Sequence, residues 1–271
     1  MAKLDTNAAW KEASGLVAAN RDVFLTLAGV FFMLPSLALS VILGEPEVEP
    51  GMQPEQMLAV MREFYAGAWW LILLGSLLQI VGILTILTLM RDRSRPTVGE
   101  AIRAGLAGTP SYLVAQLLLS LVLGVVFVVL VAGAAAISPA LAVVVVLLAI
   151  GVFVFVMFRM ILVAPLVAVE GMRNPIAALR GSWALTRGNF WRIFGFVVLV
   201  VVLFLIVLAI VMLVIGIVLA IATSGETQRV IAAVFSSALT AIAVVYFCGM
   251  IAAIHRQLAG PASAELTTTF E

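Results

Sequence analysis

The sequence is short of the side chains on which chemistry in water relies. It holds one histidine, one cysteine and 11% charged residues in 271. A single cysteine, Cys248, excludes an internal disulfide. His255 and Cys248 cannot by themselves supply the three or four ligands of a zinc or two-metal site. No Asp or Glu pair falls inside a hydrophobic stretch, which leaves a two-carboxylate mechanism without a seat. Ser76, Ser120, Ser236 and Ser237 do lie in such stretches, but with no histidine at similar depth a serine hydrolase has no base. An excess of one charge is missing too: a net +1 gives no whole-molecule field for nucleic acid. The first twenty residues lack the basic start, apolar centre and small-residue cleavage site of a secretory signal, so the first hydrophobic stretch is expected to remain in the mature protein. An enzyme, a cofactor and a metal are therefore not expected.

What is abundant is hydrocarbon. With 64% hydrophobic residues and a mean hydropathy of +1.24, the surface cannot be one that water solvates, and the bilayer must be the solvent. A hydrocarbon layer of roughly 30 Å needs about 20 apolar residues per helix. Six stretches meet that length, at 22–43, 66–90, 111–136, 139–169, 190–222 and 230–254. The expectation is one all-α integral membrane domain over 1–271, with a short tail at 255–271. The fourth and fifth stretches exceed a minimal span, which implies tilt or turns standing outside the hydrocarbon. Between the third and fourth, Ser138-Pro139 marks a tight corner, because proline ends one helix and suits the first turn of the next.

Lys3, Lys11, Arg21, Arg91, Arg93, Arg95, Arg103, Arg173, Arg180, Arg187, Arg192 and Arg256 fall on one side of this arrangement, and Arg62 and Arg229 on the other. The asymmetry predicts both termini in the cytoplasm. The external loop Glu45-Pro46-Glu47-Val48-Glu49-Pro50 reads as a solvated turn before a weak Ca²⁺ site. Trp69, Trp70 and Trp191 fit interfacial belts.

The segments before spans one, three and five read as short amphipathic helices that superimpose. Lys11, Arg103 and Arg180 come into register, each after an apolar residue (Trp10, Ile102, Leu179), and each segment ends in a break, at Asn20, at 108–110 or at Gly188-Asn189. Thr97 to Glu100 has the form of a capping box, and Asn174-Pro175 that of an N-cap followed by proline. In the third segment Ile176, Leu179 and Trp183 share one face and Arg180 and Arg187 another, so the helix is expected in the interface, arginines among anionic head groups. The three segments predict parallel repeats of a helix plus a hairpin, against the plainer view that any such connector tends to be basic and amphipathic.

Arg159 stands inside the fourth stretch, where a guanidinium costs roughly 2.5 to 3.5 kcal/mol on the insertion scale. Gln79, as far before Met90 as Arg159 is before Glu170, shares its depth. Glu170 shares its helical face but lies roughly 16 Å along the axis, so pairing would require a break at Pro165. A substrate, lipid-phosphate or proton site is one reading of Arg159; an arginine reaching the interface, or bonded to carbonyls freed by Pro165, is the other. Ala233, Ser237, Ala241, Gly249 and Ala253 form a small-residue stripe on span six, a packing face. His255 is expected to cap carbonyls at the end of that span.

From Arg159 through Pro165 and Glu170 to Ala177-Ala178-Leu179-Arg180-Gly181-Ser182-Trp183-Ala184-Leu185-Thr186-Arg187-Gly188-Asn189-Phe190-Trp191-Arg192-Ile193-Phe194, the chain resembles the membrane domain of some bacterial glycerophosphodiester phosphodiesterases and related stand-alone inner-membrane proteins. That resemblance implies a multi-pass place in the bacterial inner membrane. It does not extend to catalysis, because the chain holds no cluster of His, Glu and Asp like that of the phosphodiesterase half. The resulting expectation is a non-enzymatic protein that organises or senses lipids or a membrane-protein partner through Arg159, Gln79, Glu170, Arg180, Arg187 and Arg192. The alternative is a transporter or channel for a lipid or small amphiphile, with Arg159 and Gln79 lining a cavity.

Overall fold

The computed structural model describes residues 3–43, 51–91 and 96–260. Glu45, Glu47, Glu49, Arg93, Arg95 and the tail from 261 onward lie outside the described residues. Nine helices make up the described fold: α1 (Thr6–Ala19), α2 (Arg21–Leu43), α3 (Pro54–Leu89), α4 (Val98–Ile137), α5 (Pro139–Arg159), α6 (Val163–Ala168), α7 (Pro175–Leu185), α8 (Phe190–Ala222) and α9 (Gly225–Ala259). Six of the segments, α2, α3, α4, α5 with α6, α8 and α9, are long and apolar enough to cross a membrane. The protein is an all-α multi-pass membrane fold.

Local chemistry sets most of the helix starts. Asp5 caps α1 by accepting from the Asn7 and Ala8 amides. Thr97 and Glu100 form the reciprocal capping box of α4, and Asn174 accepts from Ile176 and Ala177 ahead of Pro175. Ser138 ends α4 and caps α5 through the Leu141 amide, with Pro139 in the first turn. Within α2 the segment Gly29–Met33 widens to a π turn, where Leu34 N–H donates to the Gly29 carbonyl five residues back. Pro35 follows directly, and its missing amide and bulky ring account for the widening.

Three boundaries differ from expectation. α3 starts at Pro54 rather than near 66, because Pro54 and the Gln56 side chain, which accepts from the Gln53 amide, open a helix in polar sequence before the apolar stretch. α4 continues through 108–110 without a break; Pro110 is exposed, so its ring faces away from the packed side. The stretch 139–169 is not one helix. It turns at 160–162, which leaves Pro165 in the first turn of α6, where its lack of an amide is harmless.

The spans contact one another in the cyclic order α2, α3, α4, α5, α8, α9 and back to α2. At one end the inside of this ring is filled by α6, all six of whose residues are buried, against α3, α4, α7 and α9. The helices α1, the start of α4, and α7 close that end. With Lys11, Arg103 and Arg180 superimposed, all three exposed, their buried faces also coincide: Ala9, Ala101 and Ala178; Ala13, Gly105 and Ser182; Val17, Thr109 and Thr186. Each seats on the even-numbered span that precedes it around the ring. α1 lies on α9, where a Cβ at Gly249 would come within 3.2 Å of the Ala13 carbonyl oxygen. The start of α4 lies on α3, where a Cβ at Gly105 would sit 2.6 Å from Thr85 Oγ1 and 3.1 Å from its amide nitrogen. α7 lies on α5 and α6. The buried faces are thus small or β-branched residues at a spacing of four, while Trp10 is exposed and Ile102 and Leu179 are half-buried beside them. Small residues let backbones approach, and in lipid such contact replaces the hydrophobic drive that water would supply.

Candidate functional site

The chemistry-bearing side chains of the described residues gather at the end closed by α1 and α7. Two hydrogen-bond systems tie it together. In the first, Leu4 is clamped by the start of α8: its amide donates to Asn189 Oδ1 at 3.0 Å and its carbonyl accepts from Arg192 at 3.0 Å. The Asp5 amide donates to Gln257 Oε1 at 3.0 Å, and Arg256 reaches both Glu12 at 3.1 Å and the Met90 carbonyl. Both ends of the described chain therefore lie on one side. Arg192 anchors backbone, a role the sequence does not announce because its partner lies at the far end of the chain.

In the second system, Ser182 bridges the turn after α5. Its Oγ donates to the Arg159 carbonyl at 2.8 Å and accepts from the Leu162 amide at 3.2 Å, while Thr186 Oγ1 donates to the Ser182 carbonyl at 2.7 Å and lies 3.2 Å from the Arg159 carbonyl oxygen. Backbone groups orphaned by the end of α5 are thus satisfied by the Ser182 hydroxyl of α7. Ser182 and Thr186 could have been found from sequence only by knowing that α5 stops at Arg159.

Arg159 is the last residue of α5, about 30 Å of helix from Pro139, and the span continues past it through α6 to Ala168. The side chain is 5% exposed, and the guanidinium carbon lies 4.3 Å from the centroid of the Trp183 ring and 5.9 Å from that of Phe155. Its Nε is buried without a hydrogen-bond partner. Arg187 follows Thr186, whose Oγ1 lies 3.2 Å from the Arg159 carbonyl oxygen, and is exposed.

Gln79 is half-buried on α3, and α3 packs on α4 and α6 rather than along α5, so the expected pairing of depth with Arg159 brings the two into no hydrogen bond among the described residues. Glu170 bonds not Arg159 but His255, Oε1 to Nε2 at 2.8 Å, with the histidine buried. His255 therefore joins α9 to the segment after α6 instead of capping carbonyls. On α7 the buried side chains are Ala178 and Ser182, while Ile176, Trp183, Arg180 and Arg187 are exposed. Trp191, 77% exposed, continues that surface onto α8. Along span six Ser237, Ala241, Gly249 and Ala253 are buried and Ala233 is half-buried. A cleft of about 580 Å³ opens between α4 and α5, lined among others by Ser120, Gly124, Phe127, Leu148 and Phe153; neither Arg159 nor Gln79 lines it.

The fold and this polar end define a multi-pass helical membrane protein whose described terminal segments meet at one end. The chain belongs to the family described as Domain of unknown function (DUF7847), whose sequence model matches residues 8–258 and so takes in every span. No curated protein and no solved structure matches the chain.

Proposed function

We propose that this protein is a non-enzymatic component of a bacterial inner membrane that organises or senses anionic lipids at its arginine-rich end, with that end and both termini in the cytoplasm. The carrying observation is the surface of α7 and the start of α8. There Arg180 and Arg187 are exposed beside Ile176, Trp183 and Trp191. Apolar and aromatic side chains that dip into the acyl boundary, next to cations at head-group level, give a helix affinity for anionic lipid. The count of lysines and arginines supports the cytoplasmic placement, and the resemblance between 159 and 194 supports the bacterial membrane.

The test is lipid enrichment. The protein is reconstituted in nanodiscs of phosphatidylglycerol and phosphatidylcholine, and the lipid recovered with it is compared with that of empty discs. The wild type is expected to enrich phosphatidylglycerol, and the double variant Arg180→Gln/Arg187→Gln to lose most of that enrichment. Equal enrichment by the two proteins would refute the proposal.

A further inference from the structure

We infer that Arg159 and Arg187 together form a binding site for a phosphate-bearing anion, at the end of α5. The inference deepens the lipid reading above and rests on it for the placement of this end at head-group level.

Four observations lead there. First, the Arg159 guanidinium lies against the Trp183 ring at 4.3 Å. Such a contact over the ring face uses none of the guanidinium's N–H donors as hydrogen bonds. Second, no described residue accepts from those donors in a hydrogen bond or ion pair, and Nε is buried and unpartnered in a residue 5% exposed. A buried guanidinium without an acceptor costs more than any neutral orphan, so an acceptor from outside the chain is the natural complement. Third, a second guanidinium belongs to Arg187, next in sequence to Thr186, whose Oγ1 lies 3.2 Å from the Arg159 carbonyl oxygen. The carboxylate that shares the helical face of Arg159 in sequence, Glu170, is engaged by His255. Two forks and two positive charges match an anion with several oxygens and up to two negative charges, which is phosphate chemistry.

The fourth observation comes from the threefold register. Positions that close the ring are small or β-branched in all three segments and are buried in all three. The site positions are not shared. Trp183 superimposes on Ser14 and Leu106, and Arg187 on Ala18 and Pro110. The scaffold therefore does not require a tryptophan or an arginine there. Only the segment seated on α5 and α6 carries them, beside Arg159 at the end of α5.

The probes are dioleoyl phosphatidic acid, a phosphomonoester lipid, and inorganic phosphate. Native mass spectrometry of the detergent-purified chain would measure retained phosphatidic acid against phosphatidylcholine, with the melting temperature recorded on the same samples. Wild type should retain phosphatidic acid and melt higher with it. Arg159→Gln and Arg187→Gln should each lower retention at least tenfold, and Arg103→Gln, an exposed change at the start of α4, should stay within twofold. Loss of retained lipid on adding millimolar inorganic phosphate would identify the free anion as a ligand; survival of the complex would assign the site to the lipid head group. If Arg159→Gln does not fold, Arg187→Gln, an exposed change, and Arg159→Lys, which keeps the charge but loses the fork, carry the comparison. Retention unaffected by Arg159→Lys and Arg187→Gln, or lowered equally by Arg103→Gln, would overturn the site. The phosphatidylglycerol enrichment would then still stand or fall on its own double variant.

Discussion

Gly105 and Gly124 lie on the same helix, α4, in different surroundings. A methyl group added to Gly105 would meet the side chain and backbone of Thr85 and the Val81 carbonyl, whereas one added to Gly124 would meet nothing within 4 Å. The contrast runs through the molecule. At the arginine-rich end Gly82, Gly108 and Gly249 also sit tight against neighbours, and hydroxyls, amides and one histidine link helices remote in sequence. Toward the other end Gly133, Gly151 and Gly216 face open space, and Leu121, Val129, Leu147, Leu205 and Ile221 are exposed. One end is thus held by close, specific contact. The other consists of helices whose exposed apolar side chains suit acyl chains, which ask for hydrophobicity and little else.

Substitutions can break or sharpen that division. The largest effect is expected for Gly105→Leu, which forces a side chain into the α3 backbone and should cost about 3 kcal/mol or prevent folding. Unfolding of detergent-solubilised protein in rising dodecyl sulfate measures it. Ser182→Ala should cost about 2 kcal/mol in the same assay, because the Leu162 amide then loses its acceptor in a buried turn. Arg256→Ala unties α9 from Glu12 of α1 and from the Met90 carbonyl, but at a half-exposed site. A loss of about 1 kcal/mol is expected, seen as earlier proteolytic cleavage in α1 before global unfolding. Smallest is Gly124→Ala, which should change stability by less than ~0.5 kcal/mol, or raise it slightly, since alanine favours helix. A large loss at Gly124 would show that the second end is also packed, against something besides lipid.

Sequence reading recovered what hydropathy and local chemistry control. The six spans, the Ser138-Pro139 corner, the cap at Asn174 and the capping box at Thr97 were all legible, because each depends on residues within a few positions. The alignment of Lys11, Arg103 and Arg180 was legible too, but the faces that do the packing were not. Ala9, Gly105 and Ser182 carry no hydrophobic signal, and a helix in lipid is turned by shape rather than by polarity. The site was half visible. Arg159 stood out by its charge, while the end of α5, the stacking on Trp183 and the pairing of Glu170 with His255 all depend on contacts between segments far apart in the chain.

The seating of α1 has a consequence for biosynthesis. Among the described helices α1 comes earliest in the chain, yet it rests on α9, and Leu4 just before it is clamped by Asn189 and Arg192 at the start of α8. Until those segments are inserted, α1 has no groove to enter. Chains truncated before 190 should therefore carry an amino-terminal stretch open to protease, and its protection would report the moment at which the ring closes.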